Sequence, residues 1–163
     1  MLSYLKSFIT HPDEKLPDDF KDRPRFTYRS DFSPILETSI ISDCGWGCCY
    51  RCAQGIISKY MMLLHSINPT LIATNFNHIE NTLSLFLDTD EAPFSIQNLV
   101  KETSKIGVSI GQWAKPSQVA QAFGNIFEKY NIPYYFSYDC IIEPSKLQQA
   151  KYPMILMVSL MCS

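Results

Sequence analysis

Residues 42–54, SDCGWGCCYRCAQ, place a glycine turn directly before a strongly helical run, with a cysteine at the junction. Gly45 and Gly47 permit a sharp turn and allow another backbone to approach closely. The first turn of a helix leaves backbone N–H groups unpaired and carries partial positive charge, which stabilises a thiolate. Cys48, at the start of a helix predicted over 47–65, is therefore the leading candidate for a reactive nucleophile.

Two other interpretations of this cysteine-rich segment stay open on local chemistry alone. Free cysteine is often a small buried apolar residue, and a metal cluster is the third possibility. Cys48 and Cys52 are four residues apart and share a helix face, whereas Cys49 points away from it. Zinc sites usually draw a second ligand pair from elsewhere in the chain, which the sequence does not offer at ligand spacing.

Size and composition are typical of a globular chain. With 163 residues, 46% hydrophobic and 18% charged, the chain suits one domain with a sizeable core. A net charge of −2 gives no case for nucleic acid or an anionic membrane as the main partner, and no apolar run reaches membrane-spanning length. Residues 1–10 show no secretory signal, so a reducing cytoplasm without a disulfide framework is expected.

The apolar patterning predicts helices first and strands last, which is an α+β arrangement. The predicted elements are a short helix over 1–10, an irregular arm over 11–25, a strand over 25–28, helices over 47–65, 69–87, 96–105, 116–130 and 144–150, and strands over 132–138 and 154–161. The last strand is continuously apolar, which normally requires neighbours on both edges. Because only 132–138 and 26–28 are available to pair with it, we expect a chain cut inside a domain or completed by another element.

Two blocks of the sequence carry a family resemblance. The first joins FTYR at 26–29 and FSPI at 32–35 to the segment 42–54, and the second is SIGQW at 109–113, followed by Pro116 and VAQ. Together they closely resemble the autophagins, papain-like cysteine proteases that process the ubiquitin-like modifier of autophagy. The resemblance covers Arg25 to the end of the chain and corresponds to the amino-terminal half of a typical member.

This resemblance implies a papain-like fold that is incomplete, with the helical part and only the start of the central sheet. Residues 1–24 would form an arm and 25–163 the amino-terminal portion of the catalytic domain. Cys48 would be the nucleophile, and Tyr28, unless it is a buried structural tyrosine, would join the Cys48 backbone N–H in the oxyanion hole. Trp46 and Trp113 are expected to be packing residues, and no cofactor or metal is implied.

The sequence also departs from the family pattern. Autophagin catalysis uses an Asp-Pro-His segment, in which histidine is the general base and aspartate orients it, and no Asp-Pro-His occurs here. None of the three histidines, His11, His65 and His78, is nominated as the base. The segment 36–41 stands where the family has a glycine-rich loop, and cysteine replaces small or apolar residues at Cys44 and Cys49.

The leading functional hypothesis is a cytoplasmic thiol protease that cleaves after the carboxy-terminal glycine of a ubiquitin-like autophagy modifier, maturing it or releasing it from lipid. Membrane contact is expected only through the lipidated substrate. The alternative from another class is a truncated, non-catalytic module that still binds the modifier, and Phe32-x-x-Ile35 superficially fits the peptides that such modifiers bind. A protease for a different ubiquitin-like modifier is a third reading, but the SIGQW block favours the autophagins.

We predict that the chain purifies without bound metal, because its clustered cysteines lack a second ligand pair. Elemental analysis of protein purified under reducing conditions checks this. Zinc or iron at one equivalent per chain would show the prediction to be wrong.

Overall fold

The structure is a computed structural model that describes residues 23–76, 81–137 and 141–158. The helix predicted over 1–10 and most of the predicted arm lie outside this part of the chain. The described elements are helices α1 (Cys48–Ile67), α2 (Pro69–Asn75), a 3₁₀ helix (Thr82–Phe86), α3 (Ile96–Ser104) and α4 (Pro116–Lys129), then strand β1 (Tyr134–Ser137), helix α5 (Pro144–Gln148) and strand β2 (Ile155–Val158). Helices α1 to α4 precede both strands, and α5 lies between the strands, within the helix predicted over 144–150.

Helix α1 is the central element of the fold. Its buried face carries Tyr50, Ile57, Met61 and Leu64, which recur at three- and four-residue spacing, while Ile56 faces solvent. The prediction of this helix is confirmed to within two residues at its end. Neither α1 nor any other helix in the described ranges is both long and apolar enough to cross a membrane.

The helix predicted over 69–87 is interrupted. The Asn68 side chain accepts a hydrogen bond from the Leu71 N–H at 3.1 Å and caps α2, as expected, but α2 ends at Asn75. Asn81 then accepts from the Leu83 N–H at 2.9 Å and starts the 3₁₀ helix. Asparagine bonds readily to nearby backbone and favours caps over helix interiors, so the prediction of continuous helix is wrong here.

Helices α3 and α4 confirm their predictions to within one residue. The Ser95 hydroxyl accepts from the Asn98 N–H at 3.1 Å and caps α3. Gly107, with φ of +87°, takes the left-handed conformation just after that helix. Pro116 begins α4, where its missing N–H costs nothing.

The core is built around the ring of Phe94, which is fully buried. Its centroid lies 6.0 Å from Phe76, 5.1 Å from Phe86, 5.8 Å from Phe123 and 5.6 Å from Phe127. These separations are typical of stacked and edge-to-face aromatic pairs. One side chain thus joins the end of α2, the 3₁₀ helix and α4 into a single core.

The two strands form a parallel pair in which Tyr134 lies opposite Ile155 and Ser137 opposite Val158. The predicted pairing of these two segments is confirmed. The Tyr60 hydroxyl on α1 donates to the carbonyl oxygens of Pro133 and Pro153, just before each strand, and so anchors both strands to the helix.

The strand predicted over 25–28 is wrong, because this segment is irregular in the structure. The next residue, Arg29, instead exchanges hydrogen bonds with the loop before α1. Its carbonyl accepts from the Asp43 N–H at 3.2 Å, and its own N–H donates to the Asp43 carboxylate at 2.6 Å. A side chain therefore takes the place that a strand partner would have.

Replacing Phe94 with alanine should lower the free energy of unfolding by about 3–5 kcal/mol, because it removes the ring that four others contact. Leu87→Ala is the control: Leu87 is 52% exposed, and a change of less than about 0.5 kcal/mol is expected there. Chemical denaturation of both variants measures the difference. Equal losses in the two variants would contradict the central role of Phe94.

Candidate active site

Cys48 is the first residue of α1, and its side chain is half-buried. Gly47 precedes it without a side-chain cap, and the first turn contains no acidic residue. The unpaired amides and the positive end of the helix dipole therefore point toward the end of the helix that carries this thiol. A helix start is one of the positions at which reactive cysteines occur.

Two glycines shape the turn before Cys48, each for its own reason. Gly45 has φ of +85°, a left-handed conformation that side chains disfavour. At Gly47 the constraint is space, since an added Cβ would lie 2.5 Å from the carboxylate oxygen Oδ2 of Asp43. The Gly47 N–H also donates to the Asp43 carbonyl at 2.8 Å. The predicted sharp turn is present.

The phenol of Tyr28 lies against the Cys48 thiol. Its hydrogen bond with Cys48 raises the pKa of Tyr28, and the charges of Asp43 and Cys44 act in the same direction. A raised pKa keeps the hydroxyl protonated at neutral pH, so it stays a hydrogen-bond donor. Tyr28 is 46% exposed, which excludes a buried structural tyrosine.

Trp113 is the residue that the sequence analysis placed wrongly. It is 56% exposed, and its indole N–H donates to the Cys48 sulfur at 3.1 Å. Trp46, by contrast, is buried, packs edge-to-face on Tyr50 at 5.9 Å and is the packing residue that was predicted. The sequence did contain a signal that Trp113 is exposed. In SIGQW the apolar residues do not recur at the regular spacing that would place the tryptophan in the core.

The loop over 36–41 reaches the same region without the glycines of the family pattern. The Ile35 N–H donates to the Ile40 carbonyl at 3.0 Å, and the Thr38 hydroxyl donates to the Ile35 carbonyl at 2.7 Å, which closes the turn. The Ile40 methyl Cδ1 then packs on Gly111, where a Cβ would lie 2.7 Å away. This loop therefore supports the block that carries Trp113.

The other thiols of the segment differ from Cys48. Burial, and then the neighbouring Cys48 and Cys52, raise the pKa of Cys49 to about 11, so it stays protonated at neutral pH. Cys44 and Cys52 are exposed. In the described ranges no group of three or more His, Cys, Asp or Glu side chains could hold a metal ion.

No histidine is seen beside Cys48 in the described part of the chain. His65 lies in the last turn of α1, about 25 Å further along the axis at 1.5 Å per residue, and its Nδ1 is 3.2 Å from the Thr82 hydroxyl. His11 and His78 lie outside the described residues. His65 therefore cannot act as the base for Cys48.

A buried charge network lies behind the site and was missed by the sequence analysis. The Asp43 carboxylate, which is fully buried, accepts from Arg51 Nε at 2.7 Å. The guanidinium of Arg51 also donates to Asp88 at 2.7 Å and 3.3 Å, and that of Arg29 donates to Asp88 at 2.9 Å. A sequence signal for this network was the presence of two charged residues, Asp43 and Arg51, in a segment made mostly of small and apolar residues.

The match to a known family agrees with this geometry. Residues 13–158 match the family model described as the peptidase C54 catalytic domain. The chain is a member of the autophagin family of cysteine proteases. The match implies a papain-like fold, of which the described residues contain the helices and a two-stranded sheet.

Individual relatives support the same family. The chain is 34% identical to cysteine protease ATG4A of Xenopus laevis over 77% of this chain, and 33% identical to cysteine protease ATG4A of Homo sapiens over 72% of it. It is 31% identical to the probable cysteine protease ATG4 of Komagataella pastoris over 85% of this chain. The matches cover 33%, 31% and 30% of those proteins, so the chain spans about a third of the length of its curated relatives.

Cys48 should be the thiol that iodoacetamide labels first at mildly acidic pH, because it is the cysteine at the glycine turn and helix start, where reactive thiols occur. Cys49 should be labelled last, since its raised pKa keeps it protonated. Peptide mass spectrometry of briefly treated protein gives the order of labelling. Preferential modification of Cys44, Cys49 or Cys52 in the folded chain, but not in the denatured one, would contradict the prediction.

Proposed function

We propose that this chain supplies the nucleophile and an oxyanion donor of an autophagin-type thiol protease. Its substrate would be a ubiquitin-like autophagy modifier, cleaved after its carboxy-terminal glycine to mature it or to release it from lipid. The reaction would take place in the cytoplasm, with membrane contact only through the lipidated substrate. The observation that carries the proposal is the pair of hydrogen-bond donors, one phenol and one indole, on a cysteine at an uncapped helix start.

In the proposed reaction the Cys48 thiolate attacks the carbonyl carbon of the terminal glycine. The carbonyl oxygen then becomes an oxyanion, which needs donors already in place. The Tyr28 hydroxyl and the Cys48 backbone N–H would be these donors. Collapse of the tetrahedral intermediate expels the amine of the following residue, and water hydrolyses the acyl-enzyme.

The leaving amine must take up a proton, and water must lose one when it attacks the acyl-enzyme. Neither Tyr28 nor Trp113 supplies that acid–base function, since both act as donors toward the sulfur. His65 is too far along α1 to do so. We therefore propose that the histidine and aspartate of the complete enzyme come from outside this sequence, which contains no Asp-Pro-His segment.

The alternative of a non-catalytic module that binds the modifier through Phe32-x-x-Ile35 is not favoured. Both side chains are buried in the core, so neither is available for docking. The turn that contains them is also closed by the hydrogen bond from the Ile35 N–H to the Ile40 carbonyl. A modifier would have to unfold this part of the domain to use the motif.

Residues 1–163 alone should cleave a modifier–reporter fusion at least about 1000-fold more slowly than a longer polypeptide that also supplies the Asp-Pro-His segment, because loss of a triad member costs several orders of magnitude. Gel-based cleavage of the fusion under reducing conditions measures both rates. In the longer polypeptide, Cys48→Ala should abolish cleavage.

The matched control is Cys52→Ala, which removes an exposed thiol one helical turn away and should leave cleavage unchanged. Rapid cleavage by the isolated chain that depends on Cys48 would show that the base is already present. Absence of Cys48-dependent cleavage from the longer polypeptide would contradict the proposed function itself.

A further inference from the structure

The ion network of Asp43, Arg51, Asp88 and Arg29 places charged groups in the core at a cost in desolvation free energy. A gain in folding stability is not a sufficient reason for this arrangement. The side chains of Asp43 and Arg51 are almost fully removed from water, at 0% and 2% exposure. Desolvation of such charges offsets most of their mutual attraction, so buried ion pairs are weak contributors to stability. Burial opposes the charged form of Arg51, but the hydrogen bonds to Asp43 and Asp88 outweigh it and raise the pKa of the guanidinium. The guanidinium of Arg51 therefore stays charged despite its burial.

Asp43 forms hydrogen bonds with two segments, the turn that leads into Cys48 and the segment that carries Tyr28. Its carbonyl accepts from the Gly47 N–H at 2.8 Å, which fixes the turn leading into Cys48. Its carboxylate accepts from the Arg29 N–H at 2.6 Å, and its own N–H donates to the Arg29 carbonyl at 3.2 Å. Tyr28 immediately precedes Arg29, so Asp43 links the segment that carries Tyr28 to the turn that leads into Cys48.

The rest of the network prevents this carboxylate from moving. Arg51, one turn into α1, donates to Oδ2 of Asp43, while Oδ1 faces Arg29. Asp88 then binds the guanidinium groups of Arg51 and Arg29 together. The segment 28–29 is irregular and has no strand partner, so these bonds replace the sheet that would otherwise position it.

We propose that Asp43 is a positioning residue that holds the Tyr28 hydroxyl against the Cys48 sulfur, with Arg51 and Asp88 fixing its carboxylate. The functional importance of this role rests on the proposed function, but the positioning of Tyr28 can be tested without any cleavage reaction. In this role the Asp43 side chain acts on Cys48 only through Tyr28.

The test uses the full chain and the ratio of alkylation rates at Cys48 and Cys52 at mildly acidic pH, where the thiolate fraction limits the rate. Tyr28→Phe removes the hydroxyl and should lower this ratio several-fold. Asp43→Asn should reproduce most of that decrease. The control Asp90→Asn makes the same chemical change at an exposed aspartate outside the network and should leave the ratio unchanged.

The double variant of Asp43→Asn with Tyr28→Phe separates positioning from a general structural effect. If Asp43 acts through Tyr28, the double variant should match Tyr28→Phe alone, whereas independent effects would add. A wild-type ratio in Asp43→Asn, an additive double variant, or no effect of Tyr28→Phe would each overturn the proposal. If the Asp43→Asn variant does not fold, the same ratio is measured for Arg51→Lys and judged by the same criteria. Lysine keeps the positive charge but lacks the Nε donor that bonds to Asp43.

This readout requires no protease activity. A failure of modifier cleavage would therefore leave the alkylation ratios, and the inference drawn from them, intact. Conversely, alkylation ratios that contradict the role of Asp43 would not affect the test of Cys48-dependent cleavage by the longer polypeptide.

Discussion

Asp43 joins three parts of the molecule through hydrogen bonds of its side chain and of its backbone. Its buried carboxylate accepts from the Arg29 N–H and from the Arg51 guanidinium on α1, and its carbonyl accepts from the Gly47 N–H in the turn before that helix. Two of these parts, the segment 28–29 and the turn, lie outside helices and strands. One residue thus connects two irregular segments to the central helix.

Most helices could be predicted from the sequence because their signals are local. Asn68 and Ser95 cap the helices that they precede, and Pro116 opens α4, as their side-chain chemistry dictates. The candidate nucleophile could also be predicted, since two glycines, a cysteine and a helical run are contiguous. The segment 132–138 could also be named as a possible partner of the last strand, but the parallel orientation of the pair could not be predicted.

The remaining features depend on contacts between distant residues. Nothing local to 25–28 reveals that Asp43 will take the place of a strand partner, and nothing near Trp113 reveals that its indole will reach a sulfur 65 residues away. The ion network spans 29 to 88, and although Asp43 and Arg51 stand out in their own segment, nothing local indicates that they meet Asp88. The interrupted second helix is different: Asn81 was a visible cap signal, but the apolar spacing across it was given more weight.

The anchoring of both strands by one hydroxyl on α1 bears on the order in which the chain folds. Tyr60 reaches carbonyls that lie 73 and 93 residues away in sequence. Helices form from neighbouring residues within about a microsecond, whereas contacts at such separations require long loops to close first. We therefore expect α1 to form early, and the two strands to be fixed against it only after those longer loops have closed.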